Sequence, residues 1–181
     1  LPLPNLIGAH QVQNAGIALA ALRALGYGEE ACEAAVTQAT WPARLQQLKA
    51  GPLVEAAQTA ELWLDGGHNP AAGQALAEAL TRPPKRPLHL ICGMLNTKDI
   101  AGYLRPLAQV AETLTAVSIP GEANTLPAET TARAAEATGL PAGTADSVHQ
   151  AIEAITAKTP NARILICGSL YLAGNVLREN G

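Results

Sequence analysis

Apolar residues recur at helical spacing through residues 10–25, at Val12, Ala15, Ile17, Ala18, Ala21, Leu22 and Leu25, and this predicts a helix that Gly26 ends. A second, shorter helix is expected from Glu29 to Gln38. No strand separates the two, so these Ala-rich helices cannot close a core by themselves and need a neighbour, inside this chain or outside it. Past Trp41-Pro42 the pattern changes. Leu53–Glu55 and Glu61–Leu64 are short β-like runs around Gln58-Thr59 and read as a hairpin. Leu88–Cys92 and Ile164–Cys167 are continuous, largely apolar runs, each followed by Gly, and Leu114–Ile119 is a less even third. Such runs suit central strands of a parallel sheet covered on both faces. Helical spacing appears over 71–81, 100–110, 128–138, 146–157 and 170–179, with Pro83-Pro84, Pro87 and Pro120-Gly121 marking connections. The expected fold class is α/β: an open, mostly parallel, Rossmann-like sheet flanked by helices and preceded by two more helices, with the boundary near 39–45.

Composition narrows the class. Apolar residues make up 48% and charged residues 15% of the 181, enough for a packed core and too few charges for a disordered chain. There is no Phe, so the core must be built from Ala, Leu, Ile and Val. A net charge of −3 without a Lys/Arg cluster argues against a nucleic-acid partner. No run of 18 apolar residues and no signal segment occurs, which disfavours a membrane. Cys32, Cys92 and Cys167 lack the paired spacing of a zinc site and fit reduced thiols in a cytoplasmic protein. The chain begins Leu-Pro rather than Met, and is expected to be a piece of something longer.

In an open parallel sheet, ligands bind beyond the carboxyl ends of the strands. Three loops lie there. In Asp65-Gly66-Gly67-His68-Asn69-Pro70, two glycines permit a tight turn, Asn69 suits an N-cap and Pro70 the first helical position. That sets Asp65 and His68 on the rim beside a helix N-terminus that favours anions. A capped loop with a solvated Asp and His has the same spacing. The second loop, Gly93–Asp99, offers Lys98 as a point charge for a carboxylate, or as a surface partner of Asp99. The third, Gly168-Ser169, offers Ser169 as a ligand or merely as the cap of the last helix. No Gly-x-x-x-x-Gly-Lys-Ser/Thr occurs, so the chain has no P-loop of its own, and no Gly-x-Ser-x-Gly elbow points to nucleophilic catalysis.

Five segments in order resemble the Mur ligase superfamily, and within it the dihydrofolate synthase/folylpolyglutamate synthase branch. They are Gly8-Ala9-His10-Gln11-Val12-Gln13-Asn14-Ala15, Trp41-Pro42-Ala43-Arg44-Leu45-Gln46, Leu64–Pro70, Gly93-Met94-Leu95 with Lys98-Asp99, and Gly168-Ser169-Leu170-Tyr171-Leu172-Ala173-Gly174. Two small-residue departures stand out: Ala43 where the family usually has Gly, and Gly67 where Ala is common.

The resemblance implies an ATP-dependent ligase. It phosphorylates a carboxylate of a pterin or folate substrate, and the α-amino group of L-glutamate then attacks the acyl phosphate. ATP and Mg2+ are the implied cofactors, with the metal ligands and P-loop mostly in an amino-terminal ATPase domain. Residues 1–40 would be the helical remnant of that domain, and 41–181 the carboxyl-terminal glutamate ligase domain, a partner that supplies half of an interdomain site and is inactive alone. By motif position, Arg44 is expected at the ATP phosphates, Asp65 at the ribose or the domain junction, and Asn14 and His10 beside the adenine. His68 is expected to face the glutamate or acyl phosphate, with Lys98 and Ser169 in the amino-acid pocket; catalysis would rest on His68, Arg44 and Asp65, and no metal ligand is expected here. Two other readings compete: a free-standing α/β module for a nucleotide or amino acid, and the equivalent domain of a cell-wall Mur ligase.

Overall fold

The computed structural model describes residues 2–81 and 84–181. Two helices lead: α1 (Ala9–Ala24) and α2 (Glu29–Thr37). The rest alternates as β1 (Gln46–Leu48), α3 (Pro52–Ala57), β2 (Glu61–Leu64), α4 (Pro70–Leu80), β3 (Leu88–Cys92), α5 (Ile100–Leu107) and β4 (Thr113–Ala116). It closes with α6 (Ala128–Glu136), β5 (Ala142–Thr144), α7 (Val148–Lys158), β6 (Arg163–Cys167) and α8 (Leu170–Asn180). The strands form one sheet in the order β1-β2-β6-β3-β4-β5, parallel throughout except for the antiparallel edge strand β1. An α/β class with an open, mostly parallel sheet is therefore what the apolar runs describe.

Alternation along the strands builds two cores. Leu62 and Leu64 of β2, Ile91 of β3, and Ile164 and Ile166 of β6 face α3, α7 and α8. Leu88, Leu90 and Cys92 of β3 and Leu165 and Cys167 of β6 face α4, α5 and α6 on the other side. Cys92 and Cys167, distant in sequence, are register partners in adjacent strands, and the neighbouring Cys167 thiol together with burial pushes the Cys92 thiol well above its usual range. A protonated, buried thiol is inert. In contrast, α1 buries only Gln11 and leaves Val12 and Ile17 exposed.

Several sequence expectations change. The segment read as the first strand of a hairpin, Leu53–Glu55, is the helix α3: Gly51 at φ 107 turns the chain, Pro52 starts the helix, and Asn180 Oδ1 accepts the Leu53 N–H from 127 residues away. β1 and β5 were not anticipated. The third run pairs only over Thr113–Ala116, because Val117 leaves the sheet after donating its N–H to the Cys92 carbonyl. Pro83, expected to help bracket the connection before β3, lies outside the described residues. No described helix is long and apolar enough to cross a membrane.

Candidate active site

The β2–α4 loop leaves the carboxyl end of a strand beside the centre of the sheet. Its first residue still pairs: the Asp65 N–H donates to the Ile166 carbonyl at 3.0 Å. The Asp65 side chain is 7% exposed, and both carboxylate oxygens are engaged. Oδ1 accepts the Gly67 N–H at 2.7 Å, and Oδ2 accepts the Leu45 N–H, also at 2.7 Å. Glycine at 67 leaves room for this close packing, since a Cβ there would stand 2.8 Å from both Asp65 Oδ1 and the Ala72 methyl and these would have to shift. Asn69 caps α4 by accepting the Ala72 N–H at 2.9 Å, and Pro70 occupies the first turn, as its sequence position suggests.

Opposite this loop runs the Trp41–Gln46 segment. Ala43 and Leu45 are both in the left-handed region, at φ 56 and 45, with exposed Arg44 between them. Three contacts hold the turn: Leu45 to Asp65, the Gly66 N–H to the Ala43 carbonyl at 2.9 Å, and the Ala43 N–H to Gln46 Oε1 at 2.9 Å. Arg44 consequently stands on the wall of a cleft of about 470 Å3, together with His10, Gln11, Asn14, Asp65 and Asn69.

The α1 side of this cleft is ordered by a short amide relay. Buried Gln11 joins His10 Nε2 at 3.0 Å and accepts from Asn14 Nδ2 at 3.1 Å. Burial raises the Asp65 carboxyl above its usual range, against the Gly67 and Leu45 N–H bonds and the charges of Arg44 and His10, which pull it down. Burial wins that balance, so the ionised form is held here at a net cost.

Four of the seven expected site residues, His10, Asn14, Arg44 and Asp65, therefore share one cleft. His68, Lys98 and Ser169 are not on its wall. The His68 ring is half-buried, with Nδ1 3.0 Å from the Gly66 carbonyl. Ser169 is buried and caps α8 by accepting the Tyr171 N–H at 3.1 Å. Lys98 is exposed, and its neighbour Asp99 caps α5 through the Gly102 N–H rather than forming a surface pair. The Leu170 side chain packs against Gly66, so the loops after β2 and β6 do touch. Sequence reasoning missed Gln11 and Gln46, whose work is to orient neighbours, and no spacing signal announces such a task.

Among the described residues no group of three or more His, Cys, Asp or Glu side chains converges, so these residues do not by themselves fit a divalent cation. An Arg beside a cleft rimmed by a helix N-terminus suits a phosphate or carboxylate instead.

Known proteins with this architecture are informative. The folylpolyglutamate synthase of Lacticaseibacillus casei is 34% identical over 136 residues, covering 75% of this chain and 29% of that protein. The Mycobacterium tuberculosis folylpolyglutamate synthase complexed with ADP and AMPPCP superposes with a TM-score of 0.85 at 28% identity, over 98% of this chain and 41% of that one. For E. coli FolC in complex with DHPP and ADP the TM-score is 0.80 at 31% identity, over 98% and 40%. The chain thus spans well under half the length of each of these relatives. Residues 44–170, from the guanidinium-bearing turn to the first residue of α8, match the family described as Mur ligase, glutamate ligase domain, and the chain belongs to that family.

Proposed function

We propose that this chain is the carboxyl-terminal part of an ATP-dependent ligase that adds L-glutamate to dihydropteroate or a folate through an acyl phosphate. Residues 1–40 belong, on this reading, with an amino-terminal ATPase domain, and 41–181 form the glutamate ligase domain. The observation that carries the reading is the single cleft gathering His10, Asn14, Arg44 and Asp65, residues from three separate motifs. Relatives in complex with ADP, AMPPCP and DHPP support the nucleotide and pterin as ligands.

The chemistry needs positive charge at the transferred phosphoryl group and a held amine nucleophile. Arg44 supplies the first, as an exposed guanidinium fork on a rigid turn. His10 and Asn14, locked by Gln11, border the nucleotide base, and Asp65 lies below the ribose side of the same cleft. His68, outside the cleft but on the same loop as Asp65, faces the glutamate; Ser169 and Lys98 line the amino-acid side from the adjoining loops. ATP and a divalent metal, when bound, would supply the phosphoryl group and neutralise its charge, with the metal ligands mostly in the amino-terminal ATPase domain. The chain supplies one wall of an interdomain site and turns over no ATP alone.

The test is ATP-dependent incorporation of labelled glutamate by the full-length ligase. Arg44→Ala is expected to lower kcat by about 10²-fold, and His68→Ala to slow glutamate addition, while both variants melt within a few degrees of the parent. Unchanged kinetics in both would refute the assignment.

A further inference from the structure

Strain around the Arg44 turn points to a task for Asp65 other than touching the ligand. Among the described residues three non-glycines have positive φ, and two of them, Ala43 and Leu45, flank Arg44. Each such residue costs on the order of 1–2 kcal/mol, and a chain keeps that conformation only where its surroundings over-determine it. What over-determines it here is a carboxylate from another segment. Asp65 Oδ2 takes the Leu45 N–H, while Oδ1 is anchored on the Gly67 N–H of its own loop. The adjacent Gly66–Ala43 bond makes the junction two-stranded. Ala43 and Leu45 are buried at 3% and 5% exposure, so the turn is fixed on both sides and only the Arg44 side chain is free.

We propose that Asp65 is the positioning residue of Arg44: its carboxylate clamps the left-handed Ala43–Leu45 turn and so aims the guanidinium along the cleft. This deepens the ligase reading and rests on it for its catalytic meaning. Both Asp65 oxygens already accept a short bond from the backbone, and the group is nearly buried, so its direct contact with a ligand is subordinate to the clamp. The charged groups facing it are Arg44 and His10, whose attraction opposes the upward push of burial on the carboxyl. Asparagine cannot replace it. One amide oxygen can serve Gly67 or Leu45, and the NH2 then confronts the other N–H donor.

Two measurements separate the clamp from the ligase reading. In the 181-residue chain, the Leu45 and Gly67 amide resonances are expected to shift together with protonation of the Asp65 carboxyl, with Arg44 following. Leu45 and Gly67 amides that stay still while the carboxyl titrates would overturn the clamp, whatever the chain's function. In the full-length ligase, Asp65→Asn is expected to lower kcat by about 10- to 100-fold, and to cause no further loss in an Arg44→Ala background. Additive losses mean that Asp65 acts on the ligand directly, which rejects the clamp and leaves the ligase reading intact. A ligase inactive toward glutamate in every form rejects the functional reading, while the amide titration still judges the clamp.

Discussion

Arg163 Nε donates to Glu61 Oε2 at 2.8 Å, joining the first residues of β6 and β2 at the end of the sheet opposite the candidate site. The carboxylate is shared: Arg86 Nε lies 3.1 Å from Oε1, and the Trp63 indole N–H donates to Oε2 at 3.3 Å. Arg163 also stacks over the Trp63 ring, 5.8 Å from its centre. This cluster ties β2 to β6 at the end of the sheet away from the strained Ala43–Leu45 turn.

Glu61→Gln is expected to destabilise the chain by about 1–3 kcal/mol, because it leaves the 8% exposed Arg163 with a neutral partner. Burial by itself would raise the Glu61 carboxyl, but the Arg163 and Trp63 hydrogen bonds and the Arg163 and Arg86 charges outweigh it and hold it below the usual range. A lowered folded value means the stabilisation is present above the unfolded value and vanishes as pH falls through the folded one. Urea unfolding of both proteins between pH 7 and pH 3 should show the gap closing toward acid.

At Gly73, helix propensity and packing pull in opposite directions. Alanine in mid-helix is favoured over glycine by about 1 kcal/mol, yet a Cβ at 73 would collide with the Tyr103 carbonyl of α5. Backbone cannot move aside as a side chain can, so packing prevails and Gly73→Ala is expected to cost about 1–3 kcal/mol. Chemical denaturation monitored by circular dichroism checks the sign.

Position 43 tests the strain directly. Ala43→Val places a β-branched residue at φ 56 and is expected to cost more than about 2 kcal/mol. Ala43→Gly relieves the turn but loses a buried methyl and loosens the unfolded chain, so it should be close to neutral. Thermal melts of the pair measure the difference, and equal stability would show that the turn is unstrained.

Much of this was legible from residue order. β3 was expected at the range observed, β6 within one residue, and the caps at Asn69 and the Pro70 start are where turn chemistry puts them. Such features report local burial and local bonding, which periodicity records. α3 was not legible, because Leu53-Val54-Glu55 looks extended until Asn180 arrives to cap it from the far end of the chain. β1 and β5 carry no apolar signal of their own: Gln46-Gln47-Leu48 and Ala142-Gly143-Thr144 are edge segments defined by what they pair with.

The apolar runs by themselves determined the α/β class and the ordered motifs the family, while the seven residues offered for a site did not say which four share one cleft. Only the tertiary structure decided how they meet. β6, last in sequence, inserts between β2 and β3, which brings Leu170 against Gly66 and Cys92 beside Cys167. The Asp65–Leu45 and Gly66–Ala43 bonds bend an ordinary Pro-Ala-Arg-Leu stretch into a left-handed turn. Spacing along a chain encodes which face of an element is apolar, but a conformation that the residues disfavour locally exists only through partners that folding delivers from elsewhere.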